Sequence, residues 1–317
     1  MYNLNSDVKK GTREGLGDGL IELADKNKDV VSLSSGVGDS TKAFSIKKKY
    51  PERYVETGIA EQNLVGMAAG LSLAGKIPYA SSFAAFLPGR CFDQIRVSVC
   101  YSNLNVKLVS THAGLTVGKD GASHQMMEDI AMMRALPNMK VIVPADALEA
   151  KRAVVAVADE FGPSYIRLGR EKLPVFTNVD TPFVIGKAVT LKKGTDVTII
   201  ATGLMVYHSL IAAEKLEQEG ISARVINMHT IKPIDKDVII KAANETGAIV
   251  TAEEHQIYGG LGSAVGEVVV QNKLVPMKII GMPDKFGESG SAHDLLVKYG
   301  LTDKEIIKAV KEVISKK

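Results

Sequence analysis

Short apolar runs rich in β-branched residues alternate with longer amphipathic stretches along the chain. In the first half the runs at 30–34, 54–55, 77–81, 106–111, 141–143 and 164–167 predict strands. Helices are predicted at 12–26, 58–75, 127–133 and 147–160, and another runs from beyond Phe86 through Cys100. In the helix at 12–26, with Thr12 as its cap, Leu16, Leu20 and Leu23 share one face. The second half repeats the alternation. Strands are expected at 197–201, 223–226, 248–252 and 277–281. Helices are expected at 206–218, around 234–243, from Gly259-Gly-Leu-Gly-Ser263 onward, and at 303–315. Such alternation predicts an α/β protein of two doubly wound domains: a parallel-sheet domain covered on both faces, then a smaller α/β domain. Pro174 and Pro182 interrupt the periodicity between them. The expected division is residues 1–175 and 183–317.

The stretch from Tyr54 to Gly75 organises the rest. It predicts a short strand, a sharp turn and a helix with Gly58 at its N-cap and Glu61 three residues later. Leu64, Ala68, Leu71 and Ala74 form one apolar stripe, and Gly66, Ala69, Gly70 and Leu73 a second, smaller one. A helix apolar on both sides is expected to be buried. Glu61 then serves either as a first-turn acid complementing the helix dipole or as a buried carboxylate poised for chemistry.

Composition narrows the function. Apolar residues make up 45% and charged residues 24% of the chain, with a net charge of +3, the profile of a globular protein. The only basic block is Lys47-Lys-Lys49, so no nucleic-acid partner is expected. No apolar run reaches the length of a membrane span, and the N-terminus lacks an apolar leader core. Cys91 and Cys100 suit neither a metal site nor a disulfide framework, which fits a reduced cytoplasm.

Chemistry-bearing residues gather after the predicted strands, where loops of a parallel sheet converge. His112 and His124 bracket a Gly-rich polar loop that also holds Asp120. Imidazoles there can take or give protons near neutral pH. Phe83 and Phe86 suit either the core or a flat aromatic ligand. Arg13 and Arg170 are either surface residues or anion binders. Gly259-Gly-Leu-Gly-Ser263 suits either tight helix packing or a phosphate cradle at a helix N-terminus.

Gly58-Ile-Ala-Glu61-Gln-Asn63 resembles the signature of the transketolase family in its pyrimidine-binding domain. By that resemblance Glu61 contacts the aminopyrimidine of thiamine diphosphate. Phe83-x-x-Phe86 is similar to the family's aromatic slot for the same ring. Where some members have a third aromatic this chain has Gly89, and Arg90 is implied as the replacement wall. Gly118-Lys-Asp120-Gly-Ala-Ser-His124-Gln resembles the family's Gly-x-Asp-Gly-x-x-His-Gln loop. It implies that Asp120, His112 and His124 contact a sugar's hydroxyls and carbonyl, with the two histidines as candidates for proton transfer. Arg13, Arg170 and Ser40 match positions that grip a substrate phosphate. One departure stands out. The family's Asp-Leu pair is replaced by Gly36-Val37, with Asp39 as the substitute that a shifted loop would bring in.

The resemblance covers about residues 10–310 and matches only the pyrimidine-binding and C-terminal domains. It implies the C-terminal subunit of a split transketolase that moves a two-carbon ketol unit from a ketose phosphate to an aldose phosphate. A partner subunit would carry the pyrophosphate-binding domain and most ligands to magnesium (or calcium), and the pair would assemble as a heterotetramer. No metal ligand is expected here, because Gly17-Asp18-Gly19 falls mid-helix and no Asn follows between Asn27 and Asn63. The alternatives are the C-terminal part of a deoxyxylulose-phosphate synthase, an oxo-acid dehydrogenase beta subunit, and a non-catalytic assembly subunit.

Overall fold

The computed structural model describes residues 2–317. Its seven-stranded sheet runs, edge to edge, Thr230–Lys232, Lys140–Ile142, Ser164–Arg167, Lys107–Thr111, Ile77–Phe83, Val30–Ser34, Tyr54–Glu56. Every neighbouring pair is parallel except the first, where Thr230 faces Ile142 antiparallel. A five-stranded sheet runs Met277–Met282, Ile249–Gln256, Val197–Ala201, Ala223–Asn227, Val189–Lys192. It is parallel except for its last pair. The expected α/β architecture of two wound sheets is present. Central strands such as Val30–Ser34 and Val197–Ala201 are buried throughout, which is why they read as short runs of mostly apolar and small residues without alternation.

The two halves are tied together. The edge strand Thr230–Lys232 of the first sheet comes from the second half. Just before the expected domain boundary, Leu173–Pro174 pairs antiparallel with Lys9–Lys10. One buried cluster extends from Leu64, Ile95 and Leu108 to Ile239, Leu261 and Val265. Each fully buried side chain of this kind stabilises the fold by roughly 1.5–3 kcal/mol.

The helix Thr12–Lys26 lies against Ala147–Ala156 at short range, because Gly15 and Gly19 leave no room for a Cβ against Ala147, Ala150 and Val154. Gly11, not Thr12, is its N-cap, and Thr12 instead exchanges hydrogen bonds with Gly169. Asp18, in the tripeptide set aside as a metal motif, takes an ion pair from Lys10.

Three expectations need correction. The helix after the turn begins at Glu61 and ends at Leu73, with Ala60 as N-cap. Gly58 lies outside it at φ +69°, in the left-handed region that glycine enters without cost. That helix is not buried all round. Leu64, Val65, Ala68 and Ala69 pack inward, while Gly66, Met67, Gly70 and Leu73 are exposed. The long helix through Cys100 is broken into Leu87–Arg90, Phe92–Gln94 and a π-helical Ile95–Tyr101. Pro88 sits in the first turn of the first piece, where its missing N–H costs nothing.

Candidate active site

The parallel strands of the first sheet end on one rim, and the predicted residues meet there. Phe83 is the last residue of Ile77–Phe83, and Phe86 follows after a turn closed by Phe86 N–H donating to Phe83 carbonyl at 2.9 Å. The two rings lie 5.9 Å apart, 27° from parallel. His112 follows Lys107–Thr111 with φ +56°, and its ring lies 3.9 Å from that of Phe83. The His124 ring meets Phe86 edge-on at 5.3 Å. The two histidines thus flank the two phenylalanines, an arrangement legible only in part from sequence.

Glu61 is the first residue of its helix and is only 5% exposed. The helix dipole and the free N–H groups there favour a carboxylate. Arg90 donates to Glu61 Oε2 at 3.2 Å, and its guanidinium lies 4.1 Å from the centre of the Phe86 ring. An N–H-bearing guanidinium therefore already sits over the Phe86 ring while bonding Glu61. Gln62 holds the Arg90 carbonyl at 3.0 Å from the first turn of the same helix.

Around His112 the charge is positive. Arg13 Nη1 lies 3.3 Å from His112 Nε2 and also donates to the Ser40 carbonyl at 3.1 Å. Thr111 Oγ1 lies 2.8 Å from His112 Nδ1. Burial, then Arg13, Arg170 and His124, push the His112 pKa down to about 3, so the ring is neutral at physiological pH. Arg170 donates to Asp120 at 3.2 Å and to the Val117 carbonyl at 3.3 Å. Ser123 Oγ lies 3.0 Å from His124 Nδ1, and Nε2 has no hydrogen bond among the described residues. A groove of about 430 Å³ lined by Lys119, Arg170, Ser291 and His293 adjoins this cluster. A larger groove, about 510 Å³, lies between Glu22, Lys151, Arg152 and Phe183 and gathers no comparable chemistry.

Sequence reading missed several contributors. Thr111 escaped because a strand-end threonine carries no signal of its own. Glu56, on the edge strand, bonds the N–H groups of Gly36 at 2.6 Å and Gly58 at 3.2 Å, so a carboxylate does reach Gly36, though not from Asp39. Glu254 lies in the second half, yet its Oε1 accepts from the Thr116 N–H at 2.6 Å inside the His112–His124 loop. Burial pushes its carboxyl up to about 7, against the opposing pull of Arg167 and the Thr116 N–H. Two adjacent acids in a buried strand, Glu253-Glu254, were the available signal. The helix Ala292–Tyr299 was also missed, although Ser291-x-x-Asp294 is a capping box with Ser291 Oγ accepting from Asp294 N–H.

The chain is similar to known proteins along most of its length. Residues 8–175 match the family model for the transketolase pyrimidine binding domain, and residues 186–306 that for the transketolase C-terminal domain. A Methanocaldococcus jannaschii protein that carries the name of a transketolase C-terminal section is 47% identical over 314 residues, 98% of each chain. A 6-deoxy-6-sulfo-D-fructose transketolase subunit from a Clostridium species is 41% identical over 305 residues, 96% of this chain and 95% of that one. A solved split-gene transketolase, described as an inactive beta4 tetramer, superposes with a TM-score of 0.91 at 49% identity, covering 96% of this chain and 98% of that one.

Proposed function

The chain belongs to the transketolase family, and from that premise we propose that it is the C-terminal subunit of a two-chain, thiamine-diphosphate-dependent transketolase. It would move a two-carbon ketol unit from a ketose phosphate to an aldose phosphate. The observation that carries this reading is the meeting of Arg13, His112, Asp120, His124 and Arg170 beside the Phe83–Phe86 pair and Glu61.

The residues fit the cofactor's pyrimidine. In support, the Arg90 guanidinium sits over the Phe86 ring and donates an N–H to Glu61. In the assembled enzyme Arg90, half-exposed, yields that place, and Glu61, Phe83 and Phe86 hold the ring. When bound, thiamine diphosphate supplies the carbon nucleophile and electron sink that protein side chains lack. Glu61 holds a proton of the pyrimidine at its carboxylate. His112, neutral and fixed between Thr111 and Arg13, orients the substrate, and His124 moves protons through Nε2. Arg13, Arg170 and Ser40 bind the substrate's anionic end, and Asp120 a hydroxyl.

The names of relatives support an anionic sugar, being a sulfofructose transketolase subunit and an apulose-4-phosphate transketolase subunit. Those names also support division of the enzyme between chains. We assign residues 1–175 to pyrimidine and substrate binding and 183–317 to the C-terminal domain. The pyrophosphate-binding domain and most magnesium ligands go to the partner subunit, in a heterotetramer. The related beta4 tetramer, described as inactive, accords with a chain that self-associates but needs its partner for turnover.

Calorimetry tests this directly. Thiamine diphosphate and magnesium should release little heat with this chain alone and a saturating binding heat once the N-terminal subunit is added. Tight cofactor binding and turnover by the chain alone would overturn the proposal.

A further inference from the structure

The loop from His112 to His124 carries three of the site's polar residues, and part of what pins it comes from the other half of the chain. Glu254 Oε1 accepts from Thr116 N–H at 2.6 Å. A Cβ at Gly114, which has φ +87°, would overlap the Glu254 carboxyl, so the loop backbone passes directly over that side chain. Arg167, itself held by Asp129 at 2.8 Å, donates to the carbonyls of both Glu254 and Met126 at 2.9 and 3.1 Å. Gln256 N–H donates to the Met127 carbonyl at 2.8 Å, and His255 Nε2 accepts from Ala131 N–H at 3.3 Å. The end of the strand Ile249–Gln256 therefore grips the first half through successive residues. Farther along the loop, Gln125 donates to the Glu288 carbonyl at 2.9 Å, and Ser289 donates to the Lys119 carbonyl at 2.6 Å.

We propose that Glu254 is a positioning residue. From the C-terminal half it fixes the backbone at Gly114–Thr116 and thereby sets where His112, Asp120 and His124 stand in the site. Its carboxylate is buried and aimed at a loop amide, while its strand neighbour Glu253 serves its own half by capping Leu261 and Gly262 at 2.7 and 2.8 Å. A strand carrying two buried acids thus splits their work, one for its own helix and one for the loop across the interface. The catalytic consequence rests on the transketolase reading. The positional claim does not.

The test compares three variants. Glu254→Gln keeps an acceptor oxygen, Glu254→Met keeps length without one, and Glu254→Asp withdraws the carboxylate by one methylene. Amide hydrogen exchange is followed by mass spectrometry on the chain alone, at peptides spanning 113–120. Loss of that hydrogen bond at a buried amide should raise exchange there by about tenfold in Glu254→Met and Glu254→Asp. Glu254→Gln should stay close to the parent chain. With the partner subunit, Glu254→Met should raise the KM for a phosphorylated ketose about tenfold. Hydrogen–deuterium exchange at cofactor C2, which needs no sugar, should be unchanged. If Glu254→Met does not fold, Glu254→Asp carries the comparison. Unaltered loop exchange in Asp and Met, or equal losses in Gln and Met, overturns the proposal. If no chain turns over a sugar with its partner, the functional reading fails, and the loop-exchange comparison still decides the positional claim.

Discussion

Arg13 reaches Nε2 of His112 across 3.3 Å. Arginine has donors only, so Nε2 must be the acceptor and the imidazole proton lies on Nδ1, toward Thr111 Oγ1. One hydrogen bond between residues 99 positions apart thereby sets the tautomer of a candidate catalytic ring that burial first of all keeps neutral.

This neutrality makes stability depend on pH. The folded-state pKa of His112 is lowered from 6.5 to about 3, so between those values the unfolded chain binds more protons than the folded one. Stability therefore rises with pH across that window and levels off above it. Replacing His112 with Gln should remove this contribution. Between pH 7.5 and pH 5 the parent chain should lose ~2 kcal/mol more stability than the variant. Urea unfolding at the two pH values measures it, and equal losses would show that His112 is protonated in the fold.

Glu61→Gln retains shape and an acceptor for Arg90 but no longer takes a proton from the pyrimidine. In the reconstituted enzyme, hydrogen–deuterium exchange at cofactor C2 should slow by about three orders of magnitude, some 4 kcal/mol of barrier. Circular dichroism and assembly with the partner should be unaffected. Unchanged exchange removes Glu61 from its proposed role.

Arg13 and Arg170 stand on either side of the His112–Asp120 cluster. Each Arg→Ala change should lower kcat/KM for a phosphorylated ketose about 10- to 150-fold, the worth of a charge-assisted bond of roughly 1.5–3 kcal/mol. The loss should appear mainly in KM. Hydroxypyruvate, which has no phosphate, should be nearly indifferent. Equal losses with both donors would make these arginines structural.

Asp129 and Arg167 form a buried pair, with Nε 2.8 and 3.0 Å from the two carboxylate oxygens and Tyr165 adding a bond at 2.7 Å. Asp129→Ala leaves the guanidinium charge buried without its partner. Stability should fall by about 3–5 kcal/mol. A midpoint shift below roughly 1 kcal/mol in chemical denaturation would mean that Arg167 relaxes to water, as exposed pairs do.

Much of the fold was legible. Val30–Ser34, Ser164–Arg167 and Val197–Ala201 were delimited from apolar runs because strands buried on both faces leave that pattern in the chain. The strand Thr230–Lys232 was not, since three residues ahead of Pro233 carry no periodicity, and only pairing with Lys140–Ile142 makes them a strand. The helix from beyond Phe86 through Cys100 was read as one continuous element, because apolar spacing alone does not register the break at Cys91 or the wider π turn.

The site divides along the same line. The chemical inventory of Glu61, Phe83, Phe86, Arg90, His112, Asp120, His124, Arg13, Ser40 and Arg170 was named from the sequence, in part from residue types near predicted strand ends and, for Arg90 and Ser40, from the family resemblance alone. Which group meets which is not. The stacking of Arg90 on Phe86, the Arg13–His112 bond and the reach of Glu254 into the loop depend on strand order and on how the halves pack. Hydrogen bonds and burial act over a few ångströms of space, whatever the distance along the chain, so only the tertiary structure could decide the tautomer of His112, the occupant of the Glu61 carboxylate and the support of the substrate loop.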